Sequence, residues 1–215
     1  MAWQTQHFRP KNMHRGSISD IFSSFLLFNS ENVVKEVLRY IIIGLSCPYI
    51  LAVFLKTVLQ VYISGFIHRT GSRYHTFLTK RFDRTEEGRR RQFTSAMTLL
   101  GYADGERSEG ASYLEIAEWI QRHCMNVEEN LTELFRRIVF NIAVSNCDDH
   151  LRNHGFIYYP KGWTLSPAYD LTPDPAGYGL KLNISETDNS LDFDLALSIT
   201  PYLGIKKDKA VAIVE

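Results

Sequence analysis

The sequence predicts an α+β fold in which helices outweigh a small antiparallel hairpin, and three observations predict it. Apolar residues recur at helical spacing over Tyr113, Ile116, Ala117 and Ile120, and more strongly over Leu131, Leu134, Phe135, Ile138, Val139 and Ile142. Two strand-like runs, Gly155–Tyr159 and Trp163–Leu165, flank the turn residues Pro160 and Gly162. The composition also changes near residue 70, where a polar start and a long apolar run give way to well-punctuated sequence.

In chain order, Met1 to Arg15 is polar and lacks the apolar core and small-residue cleavage site of a secretory leader. Tyr40–Ile67 holds Lys56 as its single formal charge and is densest over Tyr40–Leu55, where Pro48 interrupts it. A bilayer span needs about 20 apolar residues, so a membrane helix and a covered internal segment both stay open. Nothing in the run alternates, so one or two helices broken near Pro48 are expected there rather than a sheet. Tyr74–Lys80 reads as a strand, closed by Arg81–Arg84. Arg84–Arg91 is a charged connection, and its Arg89-Arg90-Arg91 run is either a solvated face or a patch for an anionic partner. The stronger helical pattern predicts a helix from about Glu128 to Ser145. Pro173, Pro175, Gly177 and Gly179 mark a loop, Leu191–Leu203 looks helical from near Asp192, and the chain stops inside a further apolar pattern over Ala210–Val214.

Bulk properties narrow the function classes. Hydrophobic residues make up 45% and charged residues 22% of the 215 positions, enough to bury a core and too apolar for a disordered chain. Lys+Arg and Asp+Glu stand at 24 each, so net charge gives no reason to expect direct nucleic-acid binding. The three cysteines, Cys47, Cys124 and Cys147, form neither a disulfide framework nor a CxxC motif, which fits a reducing, cytoplasmic setting.

The chemistry concentrates in Asn146–Asn153 and Ala168–Asp170. An Asp and an Asn five positions apart, with another Asp one hairpin further on, is the layout a phosphotransferase needs. Asp148 can accept the proton of a substrate hydroxyl, while Asn153 and Asp170 can hold Mg²⁺ against the phosphates of a nucleotide. The hairpin brings its ends together, so residues before and after it can meet at one cation. His150 and Arg152 on the same loop can add positive charge beside the phosphates. Asp149 lacks the five-residue step to Asn153 that marks Asp148 as the base. Two plainer readings stand beside this one: the Asp pair as turn or cap residues, and His150 with His154 at a four-residue step, plus Cys147 and Asp148, as zinc ligands, although a structural site needs four ligands at a sharper spacing and nothing downstream completes it.

At these residues the sequence resembles the HipA family of bacterial toxin serine/threonine kinases. The resemblance lies in Phe77–Arg84, Ser95–Met97, Tyr113–Leu114, Asn146–Phe156 and Trp163–Pro173, and covers roughly Gly71 to the C-terminus. It implies a protein-kinase-like fold, mainly the helical C-terminal lobe, over residues 71–215, with residues 1–70 an atypical N-terminal segment. It also implies ATP and Mg²⁺ as cofactors, Asp148 as catalytic base, Asn153 and Asp170 as metal ligands, and Lys80, Arg81 and Phe82 on the hinge that contacts adenine. The implied partners are a protein substrate offering a Ser or Thr hydroxyl and a DNA-binding antitoxin. The family's Gly-rich phosphate-covering segment and ATP-binding lysine have no counterpart ahead of residue 70, where Lys35 and Lys56 lack strand context and Gly44 and Gly65 stand alone. The chain is also expected to end before the family's C-terminal helices are complete. These departures predict weak binding of Mg²⁺–ATP, and they set a second reading beside the kinase: a non-catalytic kinase remnant acting as an interaction protein.

Overall fold

The computed structural model describes residues 3–8, 67–68, 75–103, 110–174 and 176–215, with side chains described from Arg81 onward. Among these residues lie two three-stranded antiparallel sheets. In the first, β3 (His75–Lys80) is central, between β1 (Trp3–Phe8) and β2 (Ile67–His68). Trp3 faces Lys80, Phe8 faces His75, and Ile67 faces Phe77. The expected strand at Tyr74–Lys80 is therefore present as β3, whereas β1 and β2 were not expected. Trp3–Phe8 mixes aromatic and polar residues on both of its faces, so its strand conformation comes from backbone pairing with β3 rather than from an apolar stripe. The helices expected over Tyr40–Ile67 lie outside the described residues, save for Ile67, which stands in β2. No helix among the described residues is long and apolar enough to cross a membrane.

The second sheet positions the site. β4 (Gln92–Ser95), β5 (Gly155–Tyr159) and β6 (Gly162–Leu165) run in that spatial order, with Ser95 opposite Gly155 and Tyr159 opposite Gly162. The tight turn needs Gly162, whose φ of 134° is closed to a residue with a Cβ. β4 runs straight into α1 (Ala96–Leu99), whose start is capped by Ser95 accepting the N–H of Thr98 at 3.3 Å.

α2 (Tyr113–His123) opens on a capping box in which the Ser112 N–H donates to Glu115 Oε2 at 2.9 Å. Its apolar stripe of Tyr113, Ile116, Ala117 and Ile120 faces Leu131, Leu134, Phe135 and Ile138 of α3 (Val127–Ala143), and Phe156, Leu165, Leu180 and Ile184 complete the core. Each of these fully buried side chains stabilises the fold by about 1.5–3 kcal/mol. α4 (Phe193–Ser198) is shorter than the sequence pattern suggested. Asp192 caps it as expected, accepting the Asp194 N–H at 2.8 Å, but Pro201 disfavours helical geometry at Thr200, and the chain turns until Gly204. α5 (Lys207–Val214) follows and buries Ala210 against the core.

Candidate active site

The loop from Asn146 to His154 is held at both ends. At its start Ser145 adopts a left-handed φ of 51°. The Asn146 N–H then reaches back to Asn141 O at 2.9 Å, and the Ser145 N–H to Ile142 O at 3.2 Å. This is the Schellman closure of a helix, made here without the usual glycine, which costs about 1–2 kcal/mol of backbone strain. At the other end the first N–H groups of α1 take the loop's carbonyls, Ala96 N to His154 O at 2.7 Å and Met97 N to Leu151 O at 3.2 Å.

Beneath the loop runs a chain of buried polar side chains. Asn146 Nδ2 donates to Asn141 Oδ1 at 3.0 Å, Asn141 Nδ2 to the Tyr113 hydroxyl at 3.3 Å, and that hydroxyl to Asp149 Oδ2 at 2.5 Å. His154 Nε2 meets the same carboxylate oxygen at 2.8 Å. Burial, with the carboxylate beside it, pushes the Tyr113 hydroxyl well above its ordinary pKa, so it stays a hydrogen-bond donor. The two aspartates therefore live differently: Asp149 is 1% exposed and fully engaged, whereas Asp148 is exposed and its carboxylate has no hydrogen bond or ion pair among the described residues.

The hairpin brings Asn153 and Asp170 into contact, with Asn153 Nδ2 donating to Asp170 Oδ2 at 2.9 Å. Asn153 is buried and Asp170 exposed, and Asp170 sits at a left-handed φ of 56°, a strain of the kind that collects at functional sites. The neighbouring Tyr169 ties the two limbs together, its hydroxyl donating to Arg152 O at 2.5 Å. Its ring packs against Phe82 and Phe93, which also touch each other, with centroids 5.6 to 6.1 Å apart. Gly155 makes room for this: a Cβ there would lie 2.2 Å from the Phe93 ring. An aromatic patch thus adjoins the Asn153–Asp170 pair and is reached from the segment that follows β3.

Among the other sequence-predicted residues, His150 Nε2 lies 3.0 Å from Arg152 Nη2, so the arginine donates to the imidazole and the two side chains stand together. Arg81 forks onto Asp83 at 2.7 and 2.6 Å, and Arg84 joins the same carboxylate, so Arg81 points its charge at the turn. Lys80 is the last residue of β3. Among the described residues no group of three or more His, Cys, Asp or Glu could hold a metal, and His154 spends Nε2 on Asp149. A magnesium ion makes a lighter demand, for one or two hard protein oxygens, with phosphate and water supplying the rest. Asp170 and Asn153 meet it, provided the Asn153 amide turns its oxygen toward Asp170; as it stands, Oδ1 faces the His150 N–H at 3.4 Å.

The family model for the HipA-like C-terminal domain matches residues 56–215. The chain belongs to that family. A candidate kinase of Haemophilus influenzae (strain ATCC 51907 / DSM 11121 / KW20 / Rd) is 32% identical to this HipA-like chain over 120 residues, covering 50% of the chain and 34% of that protein. The solved complex of the Shewanella oneidensis MR-1 toxin–antitoxin system HipA, HipB and operator DNA contains a chain that superposes with a TM-score of 0.61 at 20% identity, over 76% of this chain and 44% of that one. The likeness to that structure is one of fold. A Helicobacter pylori proinflammatory kinase, CtkA, superposes more loosely, with a TM-score of 0.47 at 11% identity over 76% and 78% of the two chains. The HipA-like chain spans about a third of its Haemophilus relative and under half of the Shewanella chain.

Several residues that build the site escaped the sequence reading. Phe93 falls in an exposed-looking strand, and its role appears only through Gly155. Tyr113 reads as part of an apolar stripe, His154 enters only as a zinc ligand, and Asn141 draws no reading. A polar residue on the apolar face of a helix, as Asn141 is on α3, was the one signal that could have flagged them.

Proposed function

We propose that this chain is the phosphotransfer region of an ATP-dependent protein serine/threonine kinase of the HipA type. The observation that carries the reading is the 2.9 Å contact between Asn153 and Asp170, with the exposed Asp148 near the head of the same loop. In this reading Asn153 and Asp170 hold Mg²⁺, which when bound offsets phosphate charge. Asp148 orients a Ser or Thr hydroxyl for in-line attack on the γ-phosphate and accepts its proton. His150 and Arg152 face the phosphates, and the Phe82–Phe93–Tyr169 patch borders the base. Family membership and the kinase name of the Haemophilus relative support the reaction class. A DNA-binding antitoxin belongs to the same reading, supported by the HipB and operator DNA found with the Shewanella protein.

The test is calorimetric titration with ATP and Mg²⁺, followed by a phosphotransfer assay. Weak, Mg²⁺-dependent binding is expected, lost in Asp170→Ala. Asp148→Ala is expected to keep the binding and lower turnover by about 10²–10⁴-fold, the usual worth of a general base. Binding that ignores both Mg²⁺ and Asp170→Ala would sink the reading.

A further inference from the structure

The second aspartate of the Asp148-Asp149 pair has no place in the phosphotransfer reading, yet it is the more deeply built in. Its carboxylate is 1% exposed and shared by two donors from different parts of the fold, the Tyr113 hydroxyl at the start of α2 and His154 Nε2 at the head of β5. The Tyr113 ring meets the His154 ring edge-on at a centroid separation of 5.6 Å, so two packed side chains close on one oxygen of Asp149. From Tyr113 the bonding continues through Asn141 on α3 to Asn146, where the loop begins. The loop is thereby tied to buried polar groups at its first residue, at its centre and at its last. Asp148 and Asn153 lie within this tied span, one on each side of Asp149, Asp148 exposed and Asn153 buried against Asp170.

A carboxylate accepts only, so His154 must carry its proton on Nε2, and Asp149 fixes the ring's orientation as well as its tautomer. Two atoms at the margins of the network, His154 Nδ1 and Asn146 Oδ1, are buried without a partner. Such a network is a costly way to stabilise a loop, because every member left unpaired loses the solvation it had in water. What it supplies is a single geometry. The nine residues of irregular backbone from Asn146 to His154 would otherwise sample many conformations, at about 1–2 kcal/mol of ordering cost each.

We propose that Asp149 is a positioning residue: its buried carboxylate, clamped by Tyr113 and His154, sets the spacing and direction of Asp148 and Asn153. The proposal deepens the phosphotransfer reading, on which its functional half rests, and its structural half stands apart from nucleotide. Both halves are read in Asp149→Asn, Tyr113→Phe, His154→Leu and His154→Gln, the last of which can still donate an N–H to Asp149. The first measurement is amide hydrogen exchange of the full chain without nucleotide. Asp149→Asn, Tyr113→Phe and His154→Leu are expected to speed exchange across residues 146–154 by about tenfold or more while the middle of α3 keeps its protection, since a lost hydrogen bond to a charged group reads locally. His154→Gln is expected to restore the wild-type pattern. The second measurement is the Mg²⁺–ATP titration, where the same three variants are expected to lose about tenfold in affinity and His154→Gln to retain it.

Tyr113→Phe is the mildest change and keeps the test open if Asp149→Asn fails to fold. Loop exchange unchanged in Tyr113→Phe, exchange rising equally in α3, or His154→Gln behaving like His154→Leu would each overturn the proposal. Should the wild-type chain bind no Mg²⁺–ATP, the phosphotransfer reading falls, and the exchange pattern alone decides the role of Asp149.

Discussion

Asp83 shows how one carboxylate serves the segment beside the site. The Arg81 fork, with Arg84 alongside, holds its carboxyl below the ordinary 3.8. A depressed folded-state value means the pairing stabilises the protein fully above the ordinary value, and the gain is lost as pH falls through the lower folded one. Asp83→Asn should therefore lower the thermal midpoint at neutral pH and match the wild type at the acid end; equal offsets at both pH values in a thermal melt would refute this. A second residue-scale case is Gly177, where a Cβ would stand 2.2 Å from Cys147 Sγ and 3.0 Å from Ser145 O. Gly177→Ala should cost about 1–3 kcal/mol by overpacking. Cys147→Ala added to it should recover part of that loss, and a denaturant double-mutant cycle returning no coupling would show the contact to be unimportant.

At the scale of the element, α3 does more than fill the core. Three of its buried polar side chains each hold a different piece of the site's frame. Asn130 Oδ1 accepts from Leu165 N at 2.8 Å and from Thr164 Oγ1 at 3.0 Å, Arg137 donates to Ser166 O, and Asn141 joins the network under the loop. They fall at steps of seven and four, so one face of one helix grips β6, the segment leading to Asp170 and the loop carrying Asn153. Arg137 is 2% exposed and paired with Glu133, whose carboxyl burial raises despite the arginine. Arg137→Ala should cost about 3–5 kcal/mol, because it leaves a cavity, removes the donor to the Ser166 carbonyl and leaves the half-buried Glu133 only the 4.0 Å pairing with Arg136. Thermal unfolding measures it, and a loss under 1 kcal/mol would contradict the assignment. Much of this element was legible in the sequence: its apolar stripe gave α3 to within two residues at each end, and the hairpin's turn residues were enough to bring Asn153 to Asp170. Most of the grip was not legible, since Asn141 meets Tyr113, Arg137 meets Ser166 and Asn130 meets Leu165 across 28 to 35 residues, and nothing in local spacing encodes such a pairing. Pro201 was readable and went unused, which is why α4 was drawn too long.

For the molecule as a whole, connectivity matters most. β4 pairs with β5 through Gln92–Tyr158 and Ser95–Gly155, and both long helices lie in the chain between them. The contacts within and between α2 and α3 are short in sequence and form early at low entropic cost. The strand pairing must close a loop many times longer. Refolding followed by pulsed hydrogen exchange should thus protect amides of α3 before those of β4 and β5, and simultaneous protection would refute the order. Asn153 lies two residues before β5, and Asp170 five residues beyond β6. The Asn153–Asp170 contact therefore forms late on the path from disordered chain to native protein. A nascent or partly folded copy would carry its helices long before this contact, and a chain damaged in β4 would remain helical while the two side chains never met.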